Sequence, residues 1–276
     1  MGIELGSLGA HLREHEVDAA GAARLEEAGF GTLWLDASPP ADLAYAERLL
    51  AATARLVVGT SVVNVWSAAA ATVAASYHRI AGRYPDRFLL GIGIGHREVD
   101  TAYASPYDTL AAYLDTLLEA EVPQERIVLA ALGPRMLHLA RERAGGTLPC
   151  LVTPEHTRRA RAILGPDRLL LPGHFALVEP DPAAARTRAR SGPPGTALAV
   201  TNYAANLRRL GFTDADLAGT GSDRLIDALT AHGTATDVVT ALTAHLASGA
   251  DHVGIYPLGD DPVTTLCTLA AAARTR

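Results

Sequence analysis

Between Leu56 and His96 the chain sets one helical repeat between two apolar runs. Val57, Val58, Val62 and Val63 form the first run, interrupted only by Gly59, Thr60 and Ser61. A nearly continuous apolar run suits a strand covered on both faces, as in a parallel sheet. The repeat recurs along the sequence. Strands are expected at Ile3–Leu8, Thr32–Asp36, Leu56–Asn64, Phe88–Gly95, Ile127–Leu132, Leu148–Thr153, within Leu169–Glu179 and at His252–Pro257. Helices are expected at Glu16–Ala28, Ala41–Ala54, Ala68–Gly82, Tyr107–Glu119, from Pro134, Glu155–Leu164, Thr236–Ala247 and from Asp261. A helical insert (Pro182–Arg190, Ala204–Leu210, Asp223–Ala231) precedes the last unit. Strict strand–helix alternation without hairpin signals predicts an α/β fold with a parallel sheet. Eight units predict a closed (β/α)8 TIM barrel, one domain over residues 1–276, with a helical insertion between strands seven and eight. An open doubly wound sheet is the alternative.

Composition narrows the chemistry. Hydrophobic residues make up 49% of the 276, enough for a large core, and all 24 basic residues are arginine. Without lysine, Schiff-base chemistry and a lysine general base are excluded. A net charge of −6, with no basic block longer than Thr157–Arg161, argues against nucleic acid as a partner. The amino-terminal residues lack a charged segment followed by an apolar one, and no uncharged apolar run reaches the ~20 residues of a membrane span. A cytoplasmic protein is expected, with Cys150 and Cys267 as buried thiols, no metal spacing and no membrane partner.

Several blocks carry a likeness that periodicity alone does not supply. They are GTSVVN (Gly59–Asn64), DRFLLGIGIGH (Asp86–His96), AALGPRMLHLA (Ala130–Ala140), LVTPEHTRRAR (Leu151–Arg161), NYAANLRRLGF (Asn202–Phe212), GSDRLIDAL (Gly221–Leu229) and GADHVGIYPL (Gly249–Leu258). In this order they resemble the bacterial luciferase-like monooxygenase superfamily, in its branch using the deazaflavin coenzyme F420. The resemblance implies an oxidoreductase moving a hydride between F420 and a small organic substrate. It also implies a homodimer, here through the alanine-rich helices at Ala41–Ala54 and Ala68–Gly82. The alternatives are an FMN-dependent monooxygenase served by a flavin or F420 reductase, and a non-catalytic cofactor-binding barrel.

Barrel enzymes build their sites at the carboxyl ends of the strands. That rule selects Gly6 and Ser7, Asp36, Asn64 and Trp66, Gly93 to His96, Ala131 to Gly133, Thr153 to Thr157, and Pro257. Gly133-Pro134-Arg135 reads as a helix start whose free N–H groups can hold an anion, or as an ordinary strand–helix joint. Thr153 with Pro154 reads as a second capped start, with His156 either solvated in its first turn or touching the coenzyme tail. Trp66 and Ser7 are candidate substrate walls, although core packing explains a tryptophan equally well. Gly93-Ile94-Gly95 lacks the third glycine of a dinucleotide fingerprint. The resemblance implies a cis peptide at Ser61–Val62 behind the coenzyme ring, with Asp36, Ser61, Val62, Asn64, Gly93, Gly95, Ala131, Gly133, Pro134, Arg135, Thr153 and His156 holding the coenzyme. Relatives that oxidise sugar phosphates carry an Asp-His pair at strand two; this chain has Asp36-Ala37. The catalytic proton is therefore assigned to His96, with His11 second.

Overall fold

The computed structural model describes residues 3–98 and 105–275. Its strands are β1 Leu8–Leu12, β2 Thr32–Asp36, β3 Val57–Ser61, β4 Val63–Asn64, β5 Phe88–Gly93, β6 Ile127–Leu129, β7 Gly146–Thr147, β8 Leu169–Leu170, β9 Gly173–Val178, β10 Thr230–Gly233 and β11 Val253–Pro257. Helices α1 Ala19–Glu27, α2 Ala44–Ala51, α3 Ala70–Arg83, α4 Pro106–Glu119, α5 Pro134–Arg143 and α6 Pro154–Leu164 follow successive strands. The insert holds α7 Pro182–Ser191, α8 Pro193–Thr196, α9 Thr201–Arg209, α10 Asp214–Leu217 and α11 Asp223–Leu229; α12 Ala235–Ala247 and α13 Pro262–Arg274 complete the outer layer. Among the described residues, no helix is long and apolar enough to cross a membrane.

All ladder pairings between these strands are parallel, in the order β10-β9-β11-β1-β2-β3-β5-β6-β7-β8, with β4 extending β3 alongside β5. The two ends of that order meet, because β8 and β9 are one strand interrupted at Leu171-Pro172. On one flank Leu171 N–H donates to Thr147 O at 2.9 Å and Gly173 N–H to Pro149 O at 2.8 Å. On the other, Gly254 N–H donates to Pro172 O at 2.9 Å. The sheet thus curls into the expected α/β barrel. The insert adds β10, paired with Phe175–Val178 beyond the end of β7.

Side-chain alternation divides the core into layers. Outward residues such as Leu33, Leu35, Val58, Leu90, Ile92, Leu129 and Ile255 pack under the helices. Inward residues Trp34, Val57, Leu89, Val128, Leu148 and Leu171, with Leu5 beneath, fill the barrel. Space for large rings among them comes from facing glycines. A Cβ on Gly59 would lie 2.4 Å from Trp34, one on Gly9 2.5 Å from His252, one on Gly173 2.4 Å from Tyr256 and one on Gly254 2.1 Å from His11. A recurrent Pro at the first helical position, after Ser105, Gly133, Thr153, Asp181 and Asp261, sets where the helices begin.

Several expected boundaries move. Strand one runs over Leu8–Leu12 rather than Ile3–Leu8, since Leu5 plugs the barrel bottom and Gly6 turns the chain at φ 70°. Strand four closes at Gly93 and strand five at Leu129, short of Gly95 and Leu132. Strand six has its ladder at Gly146–Thr147 plus one bridge at Cys150, because Pro149 lacks an N–H and Leu151 turns to φ 55°. The helix expected to reach Ala231 stops at Leu229, and the next residues form β10. Within the connection after His96, residues 99–104 lie outside the described residues.

Candidate functional site

Strand ends and insert enclose one cavity of about 840 Å³ at the carboxyl end of the barrel. Of the residues assigned a catalytic, coenzyme or substrate role, nine line it: His11, Asp36, Ser61, Val62, Asn64, Gly93, Gly95, His96 and Gly133. The Ser61–Val62 peptide is cis. A Cβ on Gly93 would lie 2.5 Å from Val62 and 3.1 Å from Ala130, so glycine is needed there for the chain to pass.

The other seven lie elsewhere. Ser7 precedes β1 and is exposed at the opposite end of the barrel, a consequence of the shifted strand. Ala131 faces the helices and is fully buried, while its neighbours Ala130 and Leu132 face the cavity. Trp66 does not line the cavity: a turn at residues 65–67 ends the strand alternation, and its Nε1–H donates to Ile94 O at 2.6 Å. Arg135 turns outward, its guanidinium 4.0 Å above the Tyr107 ring. Pro134 is exposed at the start of α5. Thr153 caps α6 through His156 N–H at 3.4 Å. His156, 3% exposed, donates from Nε2 to Leu132 O at 2.9 Å and so fixes the cavity wall from behind.

Five residues that the sequence did not assign to the site give the cavity much of its character. Tyr256 closes β11, its ring stacked between His11 at 4.0 Å and Phe175 at 4.9 Å. Its hydroxyl pairs with Ser61 Oγ at 3.2 Å. Cys150 lies beside them as a free thiol. Tyr203 reaches in from α9, its ring 5.1 Å from that of His96. Arg209, one helical stretch further, faces Gly133: a Cβ there would lie 3.5 Å from its guanidinium. Tyr256 stood in a quoted block, but its direction depends on strand register. Tyr203 and Arg209 depend on how the insert folds over the barrel, which local periodicity does not encode.

Burial disfavours the charged forms of the groups around the cavity. It depresses His11 well below the usual histidine range, with His252 adding to the effect. It also raises Tyr256 and Tyr203, and pushes Cys150 up to about 12. Asp36 is raised mainly by burial too, despite Arg13 at 3.7 Å. Below, Trp34 Nε1–H donates to His252 Nε2 at 3.1 Å, so His252 must donate from Nδ1 to Gly6 O at 2.7 Å. One nitrogen of the floor is left over: His11 Nδ1 is buried and has no hydrogen-bond partner.

Residues 15–121 match the model of the luciferase-like monooxygenase family. The whole chain superposes on an F420-dependent secondary alcohol dehydrogenase solved with an F420–acetone adduct (TM-score 0.75, 13% identity, 98% of each chain). It superposes on the coenzyme F420-dependent tetrahydromethanopterin reductase of Methanopyrus kandleri (0.69, 14%, 96% of this chain and 97% of that one). It is equally similar to the EDTA monooxygenase of Chelativorans sp. BNC1 (0.75, 12%, 99% and 94%). No curated protein matches the sequence. The solved relatives thus include F420-dependent enzymes and monooxygenases, and at these identities the likeness is one of fold.

Proposed function

We propose that the protein is an oxidoreductase that transfers a hydride between coenzyme F420 and a small, uncharged organic substrate. The observation that carries this reading is His11 Nδ1, a buried nitrogen without a partner beside the Tyr256–Ser61 hydroxyl pair. Bare polar atoms in a dry floor are costly unless a ligand meets them. The residues fit a tricyclic coenzyme with an anionic tail on a second count: Gly133 leaves the start of α5 open toward Arg209. F420, when bound, supplies the hydride donor or acceptor. His11, held neutral, accepts or returns the substrate's proton at Nδ1. Tyr256 holds the His11 ring by stacking and is itself oriented by Ser61. The insert excludes water from the mouth. His96, half-buried at the rim against Tyr203, ranks behind His11 because it lies at the solvent side of the cavity.

The test is direct. Purified protein is given oxidised F420 with a panel of alcohols, or reduced F420 with ketones and aldehydes, and the visible absorbance of the deazaflavin is followed. Turnover with any neutral alcohol or carbonyl compound supports the reading. Consumption of oxygen with reduced FMN, and none of F420, replaces it with a flavin monooxygenase served by a reductase. Assembly as a cytoplasmic homodimer through α2 and α3 belongs to the same proposal, and a monomeric mass in sedimentation removes the dimer.

A further inference from the structure

The insert places one phenol in the cavity and holds it by everything except its hydroxyl. Helix α9 is pinned at its start, where Thr201 N–H and Oγ1–H both donate to Glu98 Oε1, the first at 2.9 Å. Glu98 belongs to the same connection as His96. Tyr203, in the first turn of α9, lays its ring 5.1 Å from the His96 ring. Leu207, one turn further on, is buried in the insert's own core with Leu225 and Leu229. Backbone and ring together thus fix where the Tyr203 side chain goes.

Its hydroxyl stands among groups from separate strands. Burial first, then Cys150 and Asp36, disfavour its ionisation, and Tyr203 in turn disfavours that of Tyr256. Asp36 closes β2, His96 follows β5, Cys150 follows β7 and Tyr256 lies in β11. These positions are spaced around the barrel order, so a side chain close to all of them reaches over the barrel axis. Among the described residues the Tyr203 hydroxyl has no hydrogen-bond partner. Tyr256 and Ser61, by contrast, are paired with each other. The nearby walls are largely apolar, with Leu151, Phe175, Ala197 and Val200 lining the same cavity. A phenol that keeps its proton in such a place is a donor waiting for one acceptor. A second polar group on the ligand would meet no partner on these walls, and an aryl body would meet the Phe175 and Tyr256 rings.

We propose that the Tyr203 hydroxyl binds the oxygen of the substrate, and that the substrate is an alcohol, or the corresponding carbonyl compound, on an apolar body of aryl size. The inference rests on the reading of the protein as an oxidoreductase and adds to it a residue supplied by the insert. In the oxidising direction the carbinol C–H bond breaks and its electron pair leaves as a hydride to the coenzyme. The O–H bond also breaks: its proton passes to His11 Nδ1, and its electron pair becomes the second bond of the carbonyl. Tyr203 keeps its own proton and donates a hydrogen bond to that oxygen throughout, most strongly while the oxygen carries negative charge.

Tyr203→Phe keeps the ring against His96 and removes only the donor. Broadening of the fluorine NMR signal of para-fluoroacetophenone measures ketone binding to the full-length protein, with and without saturating oxidised F420. The variant binds this ketone at least fivefold more weakly than wild type. It also reduces the ketone with reduced F420 at a kcat/KM at least tenfold lower, while its F420 affinity stays within twofold. Equal ketone affinity in wild type and variant, or no ketone binding by wild type, overturns the oxygen site and leaves the F420 reading to its own test. A loss of F420 affinity as large as the loss of ketone affinity places Tyr203 on the coenzyme and overturns the site as well. Ketone binding that depends on Tyr203, without binding or turnover of F420, supports the oxygen site and removes the F420 reading.

Discussion

The floor of the cavity and its outer wall are built by opposite means. At the floor, four inward glycines stand opposite four rings, and burial disfavours the charged forms of His11, Tyr256 and Cys150. At the wall, the insert is laced with exposed ion pairs, among them Arg186 with Asp223 and Asp227, and Arg190 with Asp223. Packing fixes the floor, so its shape tolerates little change. Exposed pairs contribute little each and are weakened by salt. A rigid, dry floor suits proton handling, and a polar wall suits a ligand that must enter and leave.

The largest expected effect comes from filling the floor. Gly254→Val places its Cβ where the His11 ring lies and destabilises the fold by about 3 kcal/mol, read as a shifted urea midpoint. A wild-type midpoint would mean that the floor yields, and the contrast with the wall would be lost. Next is His11→Phe, which keeps a stacked ring against Tyr256 and removes Nδ1. Turnover of a substrate found in the panel is expected to fall about a hundredfold, the usual weight of a positioned acid or base, with F420 affinity within twofold. His96→Ala lowers it less than His11→Phe; the reverse order would return the proton to the rim.

Acid separates the two regions further. Burial lowers His252 to about 4, as it does His174 on β9. Unfolded, each takes up a proton near pH 6.5, whereas the folded protein does not until about pH 4. Stability is therefore fully present above about pH 6.5 and falls as the pH drops toward 4. The slope is at most about 1.4 kcal/mol per pH unit for each histidine. Urea unfolding at pH 7.5 and 5.5 checks the sign, and equal stabilities would contradict it. The smallest effect is Thr153→Ala, about 0.5–1 kcal/mol in a thermal melt, since the cap bond to His156 N–H is long at 3.4 Å.

The same contrast explains what could be read from sequence. Strand–helix alternation, the barrel and the insert followed from local periodicity, and the GTSVVN and GIGIGH blocks put Ser61, Asn64, Gly93 and His96 at the cavity. Two cavity assignments failed for different reasons: Ala131 keeps the strand alternation and faces outward with Leu129, whereas Trp66, two residues past the end of β4, lies in a turn that breaks the alternation. Ser7 was misplaced because Leu5 mimics a strand residue while plugging the barrel. Arg135 was chosen as the cation for its position beside Gly133, yet Tyr107 takes it and Arg209 arrives from 76 residues downstream. A helix that crosses the mouth leaves no trace in local spacing.

One measurement bears on the central claim most directly: parallel fluorescence titrations of the wild-type protein with F420 and with FMN at the same ionic strength. The account predicts saturable binding of F420, tighter than that of FMN. Tighter FMN binding, or no saturable binding of either, would contradict it.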